Sequence, residues 1–350
     1  MDRREFTAAS LGSAVALGTR HAVAAAAAGP SLDPLRFVDP DLRDAARREQ
    51  AIQTAMGVLD DAAIHAIRAD APPAPAPLPN VAVSFQMIEG ARGQPPVRIM
   101  IVNARGGDAR PAIVHMHGGG FVLGALEGET RFLQEIALAL DCVIVSVDYR
   151  LAPETDFRGS VADNHAGLSW TYRHAAQIGA DPRRIAVMGE SAGGGHAALL
   201  AIEARDRGEV PVLFQALIYP MLDDRTGSGI QPPPPIGSVG WNARNNRYGW
   251  RSFLGVEPGT PRVPAAGVPA RVASVAGLPP AYIAVGGLDL FVAEDIDYAR
   301  RLTEAGVPTE LLVLPGMFHA SERAAPEAAI SRRFTRAKLD ALRRAFATGR

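Results

Sequence analysis

Short apolar runs recur along most of the chain and define its organisation before any single residue is considered. Val81 to Ile88 and Val97 to Val102 read as strands, followed by Ala112 to Met116, Cys142 to Val147, Ile185 to Met188, Leu213 to Tyr219, Ala281 to Val285 and Glu310 to Leu314. Helical spacing fills most of the intervals. Runs that are apolar throughout and alternate with helices pack as a mainly parallel sheet covered by helices. Two stretches break this rhythm. From Asp39, placed to cap a helix with Pro40 in its first turn, the positions Leu42, Ala45, Ile52, Met56, Leu59, Ala63 and Ile67 predict one helix reaching about Arg68. The run APPAPAPLP at 71–79 cannot continue it and reads as an extended connector. Between Leu222 and Pro269 the alternation stops, and a PPPP run, Trp241, Trp250, Asn245 and Asn246 mark an irregular insertion over the sheet.

Composition narrows the function classes. With 47% hydrophobic and 21% charged residues over 350 positions, the chain carries a large core and is long enough for one or two domains. The 36 basic and 37 acidic residues leave a net charge of -1, so no global attraction to nucleic acid or an anionic membrane is available. The one cysteine, Cys142, cannot form an internal disulfide and reads as a buried strand residue.

The first 28 residues are different in kind. Arg3 and Arg4 precede Phe6, no charge occurs between Glu5 and Arg20, and Ala22 to Ala28 offers small-residue cleavage positions. This pattern resembles a twin-arginine export signal and is too short and weakly apolar for a permanent membrane span. The expectation is a removed leader and a periplasmic or extracellular protein. A cytoplasmic protein with an alanine-rich tail is the alternative.

Candidate chemistry gathers at the ends of the predicted strands. Gly189-Glu190-Ser191-Ala192-Gly193 follows IAVM and precedes an alanine-rich helix, the strand, sharp turn and helix of a nucleophile elbow. Small residues flank the serine because the turn brings backbone segments close together. His117-Gly118-Gly119-Gly120 ends an earlier strand, 74 residues before Ser191. Amides of Gly118, Gly119 and Ala192 can converge on the oxygen that becomes negative when the serine attacks a carbonyl, with His117 orienting the loop. A phosphate loop is the competing reading of HGGG, but no GxxxxGK[ST] is present and lysines are very few. His319, in PGMFH after the last strand, is the best base. His196 lies five residues into the helix after Ser191 and points away. Asp289, in GGLDLF, can fix the imidazole tautomer, whereas Glu294 and Asp295 read as first-turn residues of the next helix. No HExxH or cysteine cluster points to a metal, and no cofactor is needed.

Taken together, HGGGF, DYRLAPE at Asp148 to Glu154, GESAGG, PMLDDRT, LPPAYIAVGGLDLF and PGMFH resemble the bacterial hormone-sensitive-lipase family of esterases, over Asp39 to about Phe346. The resemblance implies an α/β-hydrolase fold: an eight-stranded, mostly parallel sheet with helices on both faces and a helical cap. With the leader at 1–28 set aside, it divides the chain into amino-terminal cap helices and connector at 29–80, core at 81–221, cap insertion at 222–275 and core at 276–350. It implies a triad of Ser191, Asp289 and His319, oxyanion donors at Gly118, Gly119 and Ala192, and a small-molecule carboxylic ester of short or medium acyl chain as substrate. The chain departs from the family pattern at Leu290, where proline is common directly after the acid, and at Ser321, where an aromatic residue is common two positions after the histidine. The acid four positions beyond Asp289 is also replaced, by Ala293. Amidase, peptidase and acyltransferase chemistry could use the same triad. A binding protein on this fold, like the plant gibberellin receptor, lacks the triad histidine, which is present here.

Overall fold

The computed structural model describes residues 33–71 and 73–348. The leader reading therefore lies outside the described residues. After a short 3-10 turn at Pro40–Leu42, the amino-terminal segment forms α1 (Arg43–Met56) and α2 (Asp61–Ala69). Then come β1 (Val83–Ile88), β2 (Val97–Val102), β3 (Arg110–Met116), α3 (Leu126–Leu140), β4 (Val143–Asp148), α4 (Phe157–Arg173) and α5 (Ala175–Ile178). β5 (Ala180–Glu190), α6 (Ala192–Arg207), β6 (Phe214–Ile218) and α7 (Ala243–Leu254) follow. The chain ends with β7 (Ala281–Gly286), α8 (Val292–Glu304), β8 (Thr309–Leu314), α9 (Ser321–Ala324) and α10 (Ala329–Thr348). Every apolar run expected to be a strand is one.

The eight strands form one sheet in the order β1-β2-β4-β3-β5-β6-β7-β8. β2 is antiparallel to both of its neighbours, and the remaining pairs are parallel. Period-two alternation sends Val143, Val145 and Val147 to one face, where they pack with Leu168, Ala201 and Leu302. Ile144 and Ile113 go to the other, against Leu133, Ile136 and Leu342. Cys142 is buried on that second face, and burial pushes its thiol up to about 12, so it is an inert core residue as expected. Register sets the functional end. Met116 of β3 pairs with Gly189 of β5, so the HGGG loop and the serine turn leave adjacent strands at the same level. β3 also lies between β4 and β5, where the strand order reverses and a crevice opens beyond the carboxyl ends.

Two expectations are corrected here. The single helix from Asp39 is broken: Gly57 ends α1 with φ 66°, and Asp60 starts α2 by accepting from the Ala63 amide at 2.8 Å. The break lets Leu59 turn inward, its amide donating to Asn245 Oδ1 at 3.1 Å. The 222–269 stretch is not wholly irregular, because α7 runs through it, capped by Asn242 on the Asn245 amide. A third apolar cluster joins α2 and α7 to residues just beyond β3, β5 and β7: Leu59, Ile64, Phe121, Ala192, Trp250, Phe253, Leu290 and Phe291. The proline-rich connector is tied down by Gln134, which receives the Leu78 amide and donates to the carbonyls of Leu78 and Val81. Among the described residues no helix is long and apolar enough to cross a membrane.

Trp250 is fully buried, with its ring 5.0 Å from Phe121 and 5.9 Å from Phe253 between centroids. Trp250→Ala is therefore expected to cost about 3–5 kcal/mol, as large-to-small aromatic core changes do. Thermal unfolding that is unchanged in the variant would contradict this packing role.

Candidate active site

The elbow is built by close backbone contact. Ser191 has φ 59° and ψ -122°, a conformation that costs a non-glycine residue about 1–3 kcal/mol and persists only when its surroundings hold it. They do so with three backbone bonds: Ser191 donates to Ile218 O at 2.9 Å, and its carbonyl accepts from Gly195 and Met221 at 3.1 and 3.0 Å. A Cβ on Gly193 would lie 2.0 Å from Met116 O, and one on Gly118 would lie 3.0 Å from Glu190 O. Glycine at these positions is what allows the HGGG loop to touch the serine turn.

The structure brings together the three side chains expected to react. His319 donates from Nδ1 to Asp289 Oδ2 at 2.8 Å, and Ser191 Oγ lies 2.9 Å from His319 Nε2. A carboxylate can only accept, so Nδ1 carries the ring proton and Nε2 is left to receive that of the serine. Asp289 is fully buried, and its other oxygen accepts the Phe291 amide at 3.0 Å. The imidazole is flanked edge to face by Tyr219 at 4.8 Å and Phe291 at 5.3 Å. The two family departures leave this geometry in place. Leu290 packs against Gly237 within the third apolar cluster, and Ser321 begins α9 with its amide on Phe318 O.

The amides of Gly118, Gly119 and Ala192 make no hydrogen bond to another described residue. Gly118 and Gly119 line a cavity of about 450 Å3 together with Ser191, Tyr219, Trp241 and His319, and Ala192 follows the serine at the start of α6. His117 stands behind the loop. Its ring stacks on Tyr149 with centroids 4.4 Å apart, its Nδ1 donates to Gly118 O at 2.8 Å, and the Tyr149 hydroxyl donates to His117 O at 2.7 Å. Burial lowers the His117 imidazole below its usual range, which favours the neutral ring that makes these contacts within the loop. His196 lies deeper, among Phe121, Tyr149 and Phe253, and burial pushes it down to about 3. Neither of its ring nitrogens bonds to Ser191 or to any other described residue.

Sequence reasoning missed several supports. Burial alone would raise the Glu190 carboxyl, but His115 at 2.9 Å, with Lys338 and Arg323 nearby, holds it below its usual value. Lys338 is itself fully buried, 3.9 Å from Glu190. Glu294 and Asp295 do lie in the first turn of α8, yet both are buried. Glu294 receives the amides of Leu222 and Asp223 and the Thr226 hydroxyl, which pins the chain as it leaves β6. Of the two tryptophans in the 222–269 insertion, Trp241 borders the cavity with its ring against Gly120, and Trp250 does not.

A sheet of this topology, with a serine on a strained turn after β5 and an acid and histidine after β7 and β8, defines the α/β-hydrolase class. A family model described as alpha/beta hydrolase fold matches residues 113–322. The chain belongs to that family, in its hormone-sensitive-lipase-like group. It is similar to Esterase LipI of Mycobacterium tuberculosis, with 40% identity over 205 residues, 57% of this chain and 62% of the relative. Carboxylesterase NlhH of the same organism is 36% identical over 214 residues, 61% of this chain and 66% of the relative. The alignments thus span slightly less than two thirds of these curated relatives. Among solved structures, Bacterial Heroin Esterase superposes with a TM-score of 0.76 at 35% identity, covering 90% of this chain and 99% of that one.

The glycine contacts carry a prediction with two signs. Gly193→Ala must push β3 and the elbow apart, and is expected to cost at least about 2 kcal/mol. Gly128→Ala, on the exposed first turn of α3 with open space around it, is expected to add about 0.5–1 kcal/mol. Thermal melts of both variants check this, and equal shifts of the same sign would contradict it.

Proposed function

We propose that this protein hydrolyses carboxylic esters of short to medium acyl chain through a covalent acyl-enzyme. The observation that carries the reading is the hydrogen-bonded array Asp289–His319–Ser191, whose serine faces a cavity lined by the Gly118–Gly119 loop. Likeness to relatives named esterases supports the same reading. Ser191 Oγ adds to the ester carbonyl while its proton passes to His319 Nε2, and the Asp289 carboxylate stabilises the resulting imidazolium. The carbonyl oxygen, now negative, accepts from the free amides of Gly118, Gly119 and Ala192, each such donor contributing about 3 kcal/mol. The tetrahedral intermediate collapses as His319 returns the proton to the departing alkoxide. Water then adds to the acyl-enzyme as His319 takes its proton, the bond from the acyl carbon to Ser191 Oγ breaks with return of that proton to Oγ, and the acid leaves. No cofactor enters this sequence.

Ser191→Ala is expected to lower kcat by about 10⁶ in a folded protein, His319→Ala similarly, and Asp289→Asn by about 10⁴. Full ester turnover by folded Ser191→Ala would exclude the mechanism.

Trp241 is proposed to close the acyl end of the cavity. Each methylene that fits adds about 0.8 kcal/mol at most, so kcat/KM rises with chain length until the indole blocks it, then drops. Across a C2 to C12 ester series, Trp241→Ala should move the optimum to longer chains. An optimum that stays in place would assign the boundary to another wall.

A further inference from the structure

The cavity in front of Ser191 is not electrically neutral. Besides His319, its lining carries Glu49 from α1, Glu129 from α3, Glu190 at the end of β5 and Arg323 from α9. Three of these four are occupied with one another or with groups behind the wall. Arg323 donates to both Glu129 oxygens, at 3.2 and 2.9 Å, and lies over the Phe132 ring at 4.5 Å. Glu190 is engaged by His115 at 2.9 Å, with Lys338 at 3.9 Å.

Glu49 is the exception. Among the described residues it makes no hydrogen bond or ion pair, and its neighbour Arg48 turns instead to the Ala324 carbonyl at 3.3 Å. Half-buried, its carboxyl is raised above the usual range by desolvation, with the charges of Arg48 and His319 pulling the other way. A carboxylate that has given up water without gaining a partner favours a cation brought in by a ligand. Its helix packs on α9, which starts two residues after His319, through the bond from Arg48 to the Ala324 carbonyl, and this sets Glu49 on the base's side of the cavity. That side receives the alcohol half of an ester, because His319 must protonate the departing alkoxide.

We propose that Glu49 makes the site selective for esters whose alcohol portion carries a positive charge, such as amino-alcohol or quaternary-ammonium esters, over neutral esters of the same shape. The inference deepens the esterase reading and rests on it. Two probes isolate charge from shape: acetylcholine and its carbon isostere 3,3-dimethylbutyl acetate. The measurement is the ratio of their kcat/KM values at pH 8 in wild type, Glu49→Gln and Glu49→Asp. Wild type should favour the cationic ester by about three- to tenfold, as expected for one partly solvated charge pair. The ratio should fall to about one in Glu49→Gln and persist in Glu49→Asp, and raised salt should shrink it in wild type.

A wild-type ratio near one overturns the proposal. So does a Glu49→Gln variant that loses rate equally on both esters, since that loss would mean Glu49 acts through His319 or the fold and not on the substrate's charge. Failure of the wild type on both probes and on 4-nitrophenyl acetate would instead overturn the esterase reading, and this inference with it.

Discussion

The contact on which the site depends is a backbone approach between two neighbouring strands. Met116 and Gly189 are register partners at the ends of β3 and β5, and the next residues of each strand must diverge without separating. Gly193 lies so close to the Met116 carbonyl that no β-carbon fits between them. That closeness forces the chain through a turn with positive φ at Ser191, which lifts the hydroxyl off the sheet and starts α6 at the same point. The strain is local and small. It is held by the bond from Gly195 in the first turn of α6 and by bonds to Ile218 and from Met221, at and just beyond the end of the neighbouring strand β6.

From that fixed point the remaining groups follow by topology. The acid and the base come from loops after β7 and β8, strands that pair with each other and reach the serine's strand through β6. The loops are short, with Asp289, Met317 and Phe318 buried, and Tyr219 and Phe291 hold the imidazole from two sides. Preorganisation of this kind lets the donors act on a developing charge without first reorienting. The aromatic set behind the HGGG loop, from His117 and Tyr149 through His196 and Phe121 to Phe253, ties that loop to α7. The glycine loop and the helix that follows Trp241 of the cavity wall are therefore packed as one unit.

Much of this was legible in the sequence because it is encoded locally. The eight strands announce themselves as apolar runs, and the elbow and glycine loop need specific small residues at specific spacing. Positioning of Asp289 and His319 after the last strands followed from chain order. What was hidden depends on contacts distant along the chain. The break at Gly57 is explained by Leu59 meeting Asn245, and the burial of Trp250 by Phe121. Glu294 looked like an ordinary helix-start acid until its partners at Leu222, Asp223 and Thr226 were placed beside it. Glu49 sits on a helix face that looks solvated in sequence, and only the fold turns it toward the cavity.

The central claim is that Ser191 is an activated nucleophile, and its most direct test is covalent labelling. Wild-type protein treated with a fluorophosphonate should gain one adduct, located by peptide mass spectrometry on the segment containing Ser191. The adduct should be absent from folded Ser191→Ala and form much more slowly in His319→Ala, where no base takes the proton. A folded wild type that stays unlabelled, or a Ser191→Ala protein that still takes the label at the wild-type rate, would contradict the account.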